Sequence, residues 1–538
     1  MTKKHDYAGY RGSRTRNTKR LGIIVAAFFG FILLSSTVFI AANPAFLFGG
    51  GPATPDQMTI TNTPLDNYPD IQRPQFCGVA EPSANAFIVE YGLPTQCSQP
   101  NPIVVDPLGT VWFVGTNTGD VASFNPVTEV IEEYENPYWD DSAVSMIWDM
   151  EYEDGYLWYA DESHQSVWRF DTVTKEYTKY GDIFTDASLP QVIQLRGTDI
   201  IINDFLGNTL VVLDAADLDE SGLVYYDVPS DVESAVTAGF DVAADGTIWY
   251  TTWVPNVGGL LVNVHPDLIK RLDVVQPLTY QLPPGLLTPN GLAIDDSGTI
   301  WLADTSSSYF FSFDVATETF THYVTSPPDV LSYGNVTGVI QTPVSRPYWI
   351  DISDSGQIIF NEQTANRIAV FDSGTERLTE YSIPSRNPFW SDCGGMASCG
   401  IAQALSIDVH GDKVWFTEWA ENHIGVLDTS QPIPVDIRLD TRMLTLRAGE
   451  NVTIHYDIIP SSTQPTSIEP IIVHTHNSLV PVQLQDPGIQ ILDSPSRLPI
   501  QIISESWAEP GTYKILLGVR SGSVSVSEFL TVQIMPET

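Results

Sequence analysis

Seven short segments of this 538-residue chain share one shape: GTVWFV (109–114), GYLWYA (155–160), DIIIND (199–204), GTIWYT (246–251), GTIWLA (298–303), QIIFNE (357–362) and KVWFTE (413–418). Aligned on one another, they put Gly115, Asp161, Asp204, Thr252, Asp304, Glu362 and Glu418 in one slot, and five of those seven are carboxylates. A second row, Asn101, Ile147, Gln191, Ala238, Asn290, Tyr348 and Gln403, precedes the apolar stretch upstream of each segment. Converging oxygen atoms are what Ca2+ or Mg2+ requires. Asn290, Asp304, Glu362 and Glu418 are the candidate metal ligands, Asn290 through its amide oxygen and Glu418 through its reach. Carboxylates in such slots are also the ordinary means of capping a turn between strands.

Other chemistry is sparse. No Gly-x-Ser-x-Gly, His-Glu-x-x-His or phosphate-loop pattern occurs, and the sequence names no catalytic residue. The nine histidines are scattered; His164 and His423 fall in loops on the face of the acidic row, within reach of a large ligand. The four cysteines, Cys77, Cys97, Cys393 and Cys399, allow three disulfide pairings, of which the local set Cys77–Cys97 and Cys393–Cys399 is expected. A C-x2-C metal spacing is absent. Asn335 and Asn451 each open an Asn-Val-Thr glycosylation sequon.

The elements that must position these residues are strands. In NGLAIDDSGTIWLADTSSSYFFSFDVATETFTHYV (290–324), alternation and turn residues predict strands over 291–295, 299–303, 309–313 and 319–324. Ser297-Gly298 makes the first hairpin turn, and Asp314 caps another by accepting backbone N–H groups. A four-stranded unit recurring every 43–58 residues is a propeller blade. Seven second strands are present, but downstream outer strands, marked by Tyr134, Tyr180, Tyr226, Tyr280, Tyr323 and Tyr381, number six. The missing one is FIVEYGLPT (87–95), whose Tyr91 matches the others; it closes the ring beside the last blade and leaves no open edge. Trp112, Trp158, Trp249, Trp301 and Trp415 are read as core.

The fold class is therefore all-β, a seven-bladed β-propeller over 84–433. About seven strand-like runs in 434–538 predict an Ig-like β-sandwich, with Tyr513 as a tyrosine-corner candidate. Residues 1–20 form a basic tail with seven Lys/Arg and one acid. The uncharged run 21–42 is long enough to cross a bilayer as one transmembrane helix. Residues 43–83 are a Pro/Gly-rich linker. The basic flank predicts a cytoplasmic N-terminus and an extracytoplasmic bulk at the cell membrane. Beyond residue 20 the chain holds 18 basic and 65 acidic residues. Such a surface repels nucleic acid, so the expected partners are the membrane, through the helix, and a protein or small-molecule ligand at the propeller face.

VWFTEWAENHIGVLD (414–428) and, more loosely, NEQTANRIAVFDSGTERLTEYSIP (361–384) resemble the repeat signature of the streptogramin B (virginiamycin B) lyases. PNGLAIDDSGTIWLADT (289–305) resembles the gluconolactonase and regucalcin propellers, whose Asn in Pro-Asn-Gly ligates a metal. The resemblance spans about 84–430 and implies a propeller with a divalent cation. For the lyases it also implies a catalytic histidine before an innermost strand. The matching slots here hold Asn101, Gln191, Asn290, Tyr348 and Gln403, so that base is missing, while Glu362 and Glu418 retain the acidic slot. The sequence thus supports a membrane-anchored binding or scaffolding module; the alternative is a metal-dependent lactone-opening enzyme.

Overall fold

The structure is a computed structural model that describes residues 77–536, apart from 140–145, 163, 182–183, 185–187, 198, 208, 215–223, 228–234, 255–256, 266–276, 335–342, 392, 394–395, 397, 462–465, 475–481 and 485–489. The basic tail, the apolar run 21–42, the linker up to residue 76 and the Asn335 sequon lie outside the described residues. Among the described residues no helix is long and apolar enough to cross a membrane.

Local chemistry explains each hairpin. In the unit read above, the strands are Pro289–Ile294, Ile300–Asp304, Tyr309–Asp314 and Thr319–Val324, within a residue or two of the predicted bounds. One oxygen of Asp295 accepts the N–H groups of Ser297 and Thr299, and the other takes the Trp301 indole N–H at 2.9 Å. The turn needs φ +83° at Gly298, a conformation that costs glycine little. Asp106 and Trp112 repeat this arrangement in the first unit. Asp314 accepts from Ala316 and Thr317, as its turn requires. The second strands are buried along nearly their whole length, and the five tryptophans are core.

Seven such four-stranded antiparallel units follow one another, and the fold is a β-propeller. Their first strands, Pro100–Val105, Ile147–Glu153, Pro190–Arg196, Val236–Val242, Pro289–Ile294, Pro347–Ile352 and Ala404–His410, neighbour each other in a closed circuit. Polar side chains staple consecutive units. Asn203 donates to the carbonyls of Thr237 and Ala238, Thr251 to that of Pro289, and Asn361 to those of Ala404 and Leu405. The last unit reaches the first with the roles reversed, the Ser406 hydroxyl accepting from the Ile103 N–H.

The segment Ile88–Gly92 pairs antiparallel with His423–Asp428, from Ile88↔Leu427 to Gly92↔His423. It is the outer strand of the last unit, in the place the sequence predicts. Ile88 is fully buried, and Tyr91 packs against Phe124 of the first unit and Trp415 of the last. Asn422, in the left-handed region at φ +59°, bonds the Thr95 carbonyl and the Gln99 N–H, which ties the incoming chain to the same turn.

Residues Val435 to Met535 form two further sheets. One orders Val435–Leu439, Asn451–Pro460, Ser496–Ile503 and Val482–Leu484. The other contains Gly511–Ser521, Val524–Met535, Thr466–His474 and Gln490–Leu492, with Met443–Arg447 added parallel to Val524–Met535. Tyr513 donates its hydroxyl to the Glu509 carbonyl at 2.7 Å. Val524–Met535 also pairs with Arg377–Ser382, the outer strand of the sixth unit, from Arg377↔Glu528 to Tyr381↔Val524. One hydrophobic cluster then runs from Ile368 and Tyr381 through Val526 to Ile454 and Ile500.

Truncation of a buried isoleucine in a strand that seals the ring is costly. Ile88→Ala is expected to lower stability by about 2–5 kcal/mol. Urea unfolding of the variant checks this; a loss below about 1 kcal/mol would show that the ring does not depend on the strand.

Candidate functional site

The two rows read from the sequence do meet. Ile147 pairs with Asp161, and in other units the residue beside the upstream slot pairs with the acid: Pro190 with Asp204, Pro289 with Asp304, Pro347 with Glu362 and Ala404 with Glu418. The three aspartates are then satisfied mainly within their own units. Asp304 accepts from the N–H and hydroxyl of Thr288 and from the hydroxyls of Ser306 and Ser307. Asp204 caps Leu189 and Gly207, and Asp161 meets His164 Nδ1 at 2.7 Å. Asn290 lines the central cavity and donates to Thr305 Oγ1 at 2.6 Å. Turn capping is thus the visible work of Asp204 and Asp304.

Glu362 and Glu418 differ from those two. Glu362 is buried against Arg367, whose guanidinium also lies 3.3 Å from Glu380 and donates to the Ser326 carbonyl. Burial pushes Glu362 up against the lowering effect of Arg367. Glu418 is fully buried beside Glu90 and His423, and one ligand atom from each of these three lies within 4.8 Å of the others. Among the described residues these three form one acidic group that could hold a metal ion. Burial pushes both Glu90 and Glu418 up to about 8, Glu90 with help from the Glu418 charge, and pushes His423 down. His423 corrects the sequence reading: it opens a strand and is 3% exposed, because the Asn422 turn points it inward.

The cysteines divide. Cys393 and Cys399 form the expected disulfide. Cys77 and Cys97 are buried but not joined. The Cys97 carbonyl is held by Asn117 of the first unit, while the residue after Cys77 bonds the Ala420 carbonyl of the last. Asn451 begins a strand and is exposed.

A second acidic group, missed by the sequence reading, lines the channel. A cavity of about 190 Å³ is walled by all seven first strands and carries Asp149, Glu151, Asp241, Asp351 and Asp408. Asp149, Asp241 and Asp408 each accept a backbone N–H from the next unit: Ile193 at 3.0 Å, Ile294 at 2.9 Å and Val105 at 2.5 Å. Burial, then mutual repulsion, pushes Asp149 up to about 7 and Glu151 well above the carboxylate range; burial raises Asp351 to about 6 and Asp408 to about 7. The signal was present: GFDV (239–242), WIDI (349–352) and SIDV (406–409) each set one Asp among apolar residues of a first strand.

No protein-family model and no curated protein matches this sequence. Among solved structures, the chain is similar to a streptogramin B lyase, at 20% identity over 64% of this chain and 99% of that one, with a TM-score of 0.49. It is similar to a virginiamycin B lyase from Staphylococcus aureus at 19% identity, over 63% of this chain and 98% of that one, TM-score 0.48. A putative gluconolactonase aligns at 11% identity over 53% of this chain and 89% of that one, TM-score 0.32. The architecture itself rests on the strand pairings described above.

Two predictions follow from the buried charges. Each raised carboxyl keeps its proton in the folded chain at a pH where the unfolded chain has lost it. Folding therefore takes up protons between about pH 4 and 8, and stability falls as pH rises through that window. His423, pushed down, works the other way but is outnumbered. Thermal unfolding with chelator present is expected to give a Tm that declines from pH 5 to 8; a flat or rising profile would contradict it. Arg367→Met leaves Glu362 and Glu380 without their cation. It is expected to cost about 3–5 kcal/mol at pH 8 and less at pH 5, where protonation relieves the pair. Urea titrations at the two pH values test this, and an equal cost at both would contradict it.

Proposed function

We propose that the chain is a seven-bladed propeller bearing an Ig-like C-terminal sandwich, held at the cell membrane by residues 21–42 with its acidic bulk outside. In this reading it is a binding or scaffolding module whose ligand, a protein or a small molecule, meets the mouth of the propeller. The observation that carries the reading is that three of the five acids of the mouth row are engaged inside the protein. Asp304, Glu362 and Asp204 are consumed by hydroxyl, guanidinium and backbone donors, so the conspicuous acids there hold loops in place. None of the described residues lining the cavity is a histidine, lysine or cysteine. The pairing of the C-terminal sheet with the sixth unit supports it too, since it joins both modules through one continuous sheet.

A second reading, lactone opening assisted by Ca2+ or Mg2+, is favoured by one feature. Asp149 and Asp408 line the channel with affinities for a proton near 7, the range in which a carboxylate is an effective general base, and Asn290 opens on the same cavity.

A panel of lactones and esters, with Ca2+, Mg2+ or chelator, separates the two. The binding module shows no turnover above the uncatalysed rate. Chelator-sensitive turnover that falls at least 100-fold in Asp149→Asn and in Asn290→Ala would establish the enzyme instead. Protease protection of intact cells tests the topology: residues beyond 43 are expected to be cleaved from outside, and protection of the whole chain would refute the placement.

A further inference from the structure

The sixth and last units carry the same three-residue cluster with one exchange. Glu362 pairs across strands with Arg367, and Ala369, two residues on, pairs with Glu380. Glu418 pairs with His423, and Gly425, two residues on, pairs with Glu90 of the closing strand. Glu418 thus occupies the position of Glu362, Glu90 that of Glu380, and His423 that of Arg367. In the sixth unit the guanidinium supplies the positive charge between two buried carboxylates. In the last unit an imidazole stands in that place.

Among the described residues, no lysine or arginine is ion-paired to Glu90, Glu418 or the neighbouring Glu421. Polar atoms are left over. Nδ1 of His423, Oε1 of Glu418 and Oε1 of Glu421 are buried with no hydrogen-bond partner. Nδ1 lies 3.4 Å from Glu418 Oε2 and 4.0 Å from Glu90 Oε2. Two ligand atoms of a tetrahedral zinc site with bonds of about 2.0–2.1 Å sit about 3.3–3.4 Å apart, so the His423–Glu418 separation already suits such an ion, and a small contraction brings Glu90 to the same distance from His423. Burying unpaired polar atoms and carboxylates together is expensive unless a partner offsets them.

We infer that Glu90, Glu418 and His423 bind one divalent transition-metal cation of the zinc class, which fastens the closing strand to the last unit. One imidazole nitrogen with two carboxylate oxygens suits such an ion. Ca2+ takes six to eight oxygen ligands and is poorly served here. The inference needs no ligand or reaction at the propeller mouth: the site shares the acid Glu418 with the mouth row, but its other two residues belong to the third and outer strands of the last unit.

The test uses the full-length chain and Zn2+ itself. After dialysis against Zn2+ and removal of the excess, elemental analysis is expected to find one zinc per chain. Chelator lowers the Tm by several degrees, and Zn2+ restores it where Ca2+ and Mg2+ do not. His423→Arg rebuilds the arrangement of the sixth unit. It is expected to lose the zinc, keep its Tm in chelator and cease to respond to Zn2+. Glu90→Gln keeps a buried polar group of the same shape and is expected to weaken zinc binding at least tenfold. A wild-type chain that holds no zinc and whose Tm ignores chelator overturns the inference, as does zinc retained at full stoichiometry in His423→Arg.

Discussion

A sheet protein wound into a ring has one obligatory problem, which is how to join its two ends. Within each of the first six units the four strands pair with one another in chain order. The last unit has only three strands of its own, and its exposed edge is sealed by Ile88–Gly92. Without that pairing an apolar edge would be open to any other chain. The placement of the mouth, the channel and the buried acids all depends on this closure. It is reinforced where the two ends meet, by Ser406 and Asp408 reaching the backbone of the first unit and by Tyr91 wedged between Phe124 and Trp415.

Given closure, negative charge has few places to go. The surface takes most of it, but carboxylates also enter the interior in three settings with different solutions. At the mouth they are neutralised in effect by hydroxyl and amide donors, as at Asp304. In the channel they accept backbone N–H groups across unit boundaries while repelling one another. Beneath the outer strands of the last two units they surround a single basic residue, an arginine in one case and a histidine in the other. Two buried carboxylates around one basic residue are compensated only where that residue brings a positive charge, which makes the exchange of Arg367 for His423 the most informative difference between repeats.

Much of this was legible in the chain. The four strands of 290–324, the turn aspartates and the role of Tyr91 followed from alternation, turn chemistry and a missing repeat element. These are local signals or a count of them. The acids of the mouth row are legible too, but their partners are not: Ser307 and Arg367 stand only three and five positions beyond Asp304 and Glu362, where nothing in the sequence marks them as donors, and Thr288 is brought to Asp304 by the pairing of the first two strands. Asp241, Asp351 and Asp408 repeat in the sequence yet were passed over, since an acid within a short apolar strand reads as a solvent-facing residue until the strand is known to line a channel. Glu90 and His423 are 333 positions apart in number, and only register places them together. The joining of Val524–Met535 to Arg377–Ser382 was invisible for a related reason: an outer strand carries no mark of which chain will cover it.

The closing strand also has a timetable. Ala80 and the carboxylate it bonds on Glu421 are separated by 341 residues, so the ribosome needs roughly 20–70 s to deliver the second after the first. For that interval the segment FIVEYG waits without its partner, rich in residues that favour cross-strand aggregation. A charge at its centre is a recognised brake on such association. Glu90, ionised while the nascent strand is still in water and driven toward its neutral or liganded form only on docking, keeps the waiting strand soluble and gives up that protection at the moment the circle is complete.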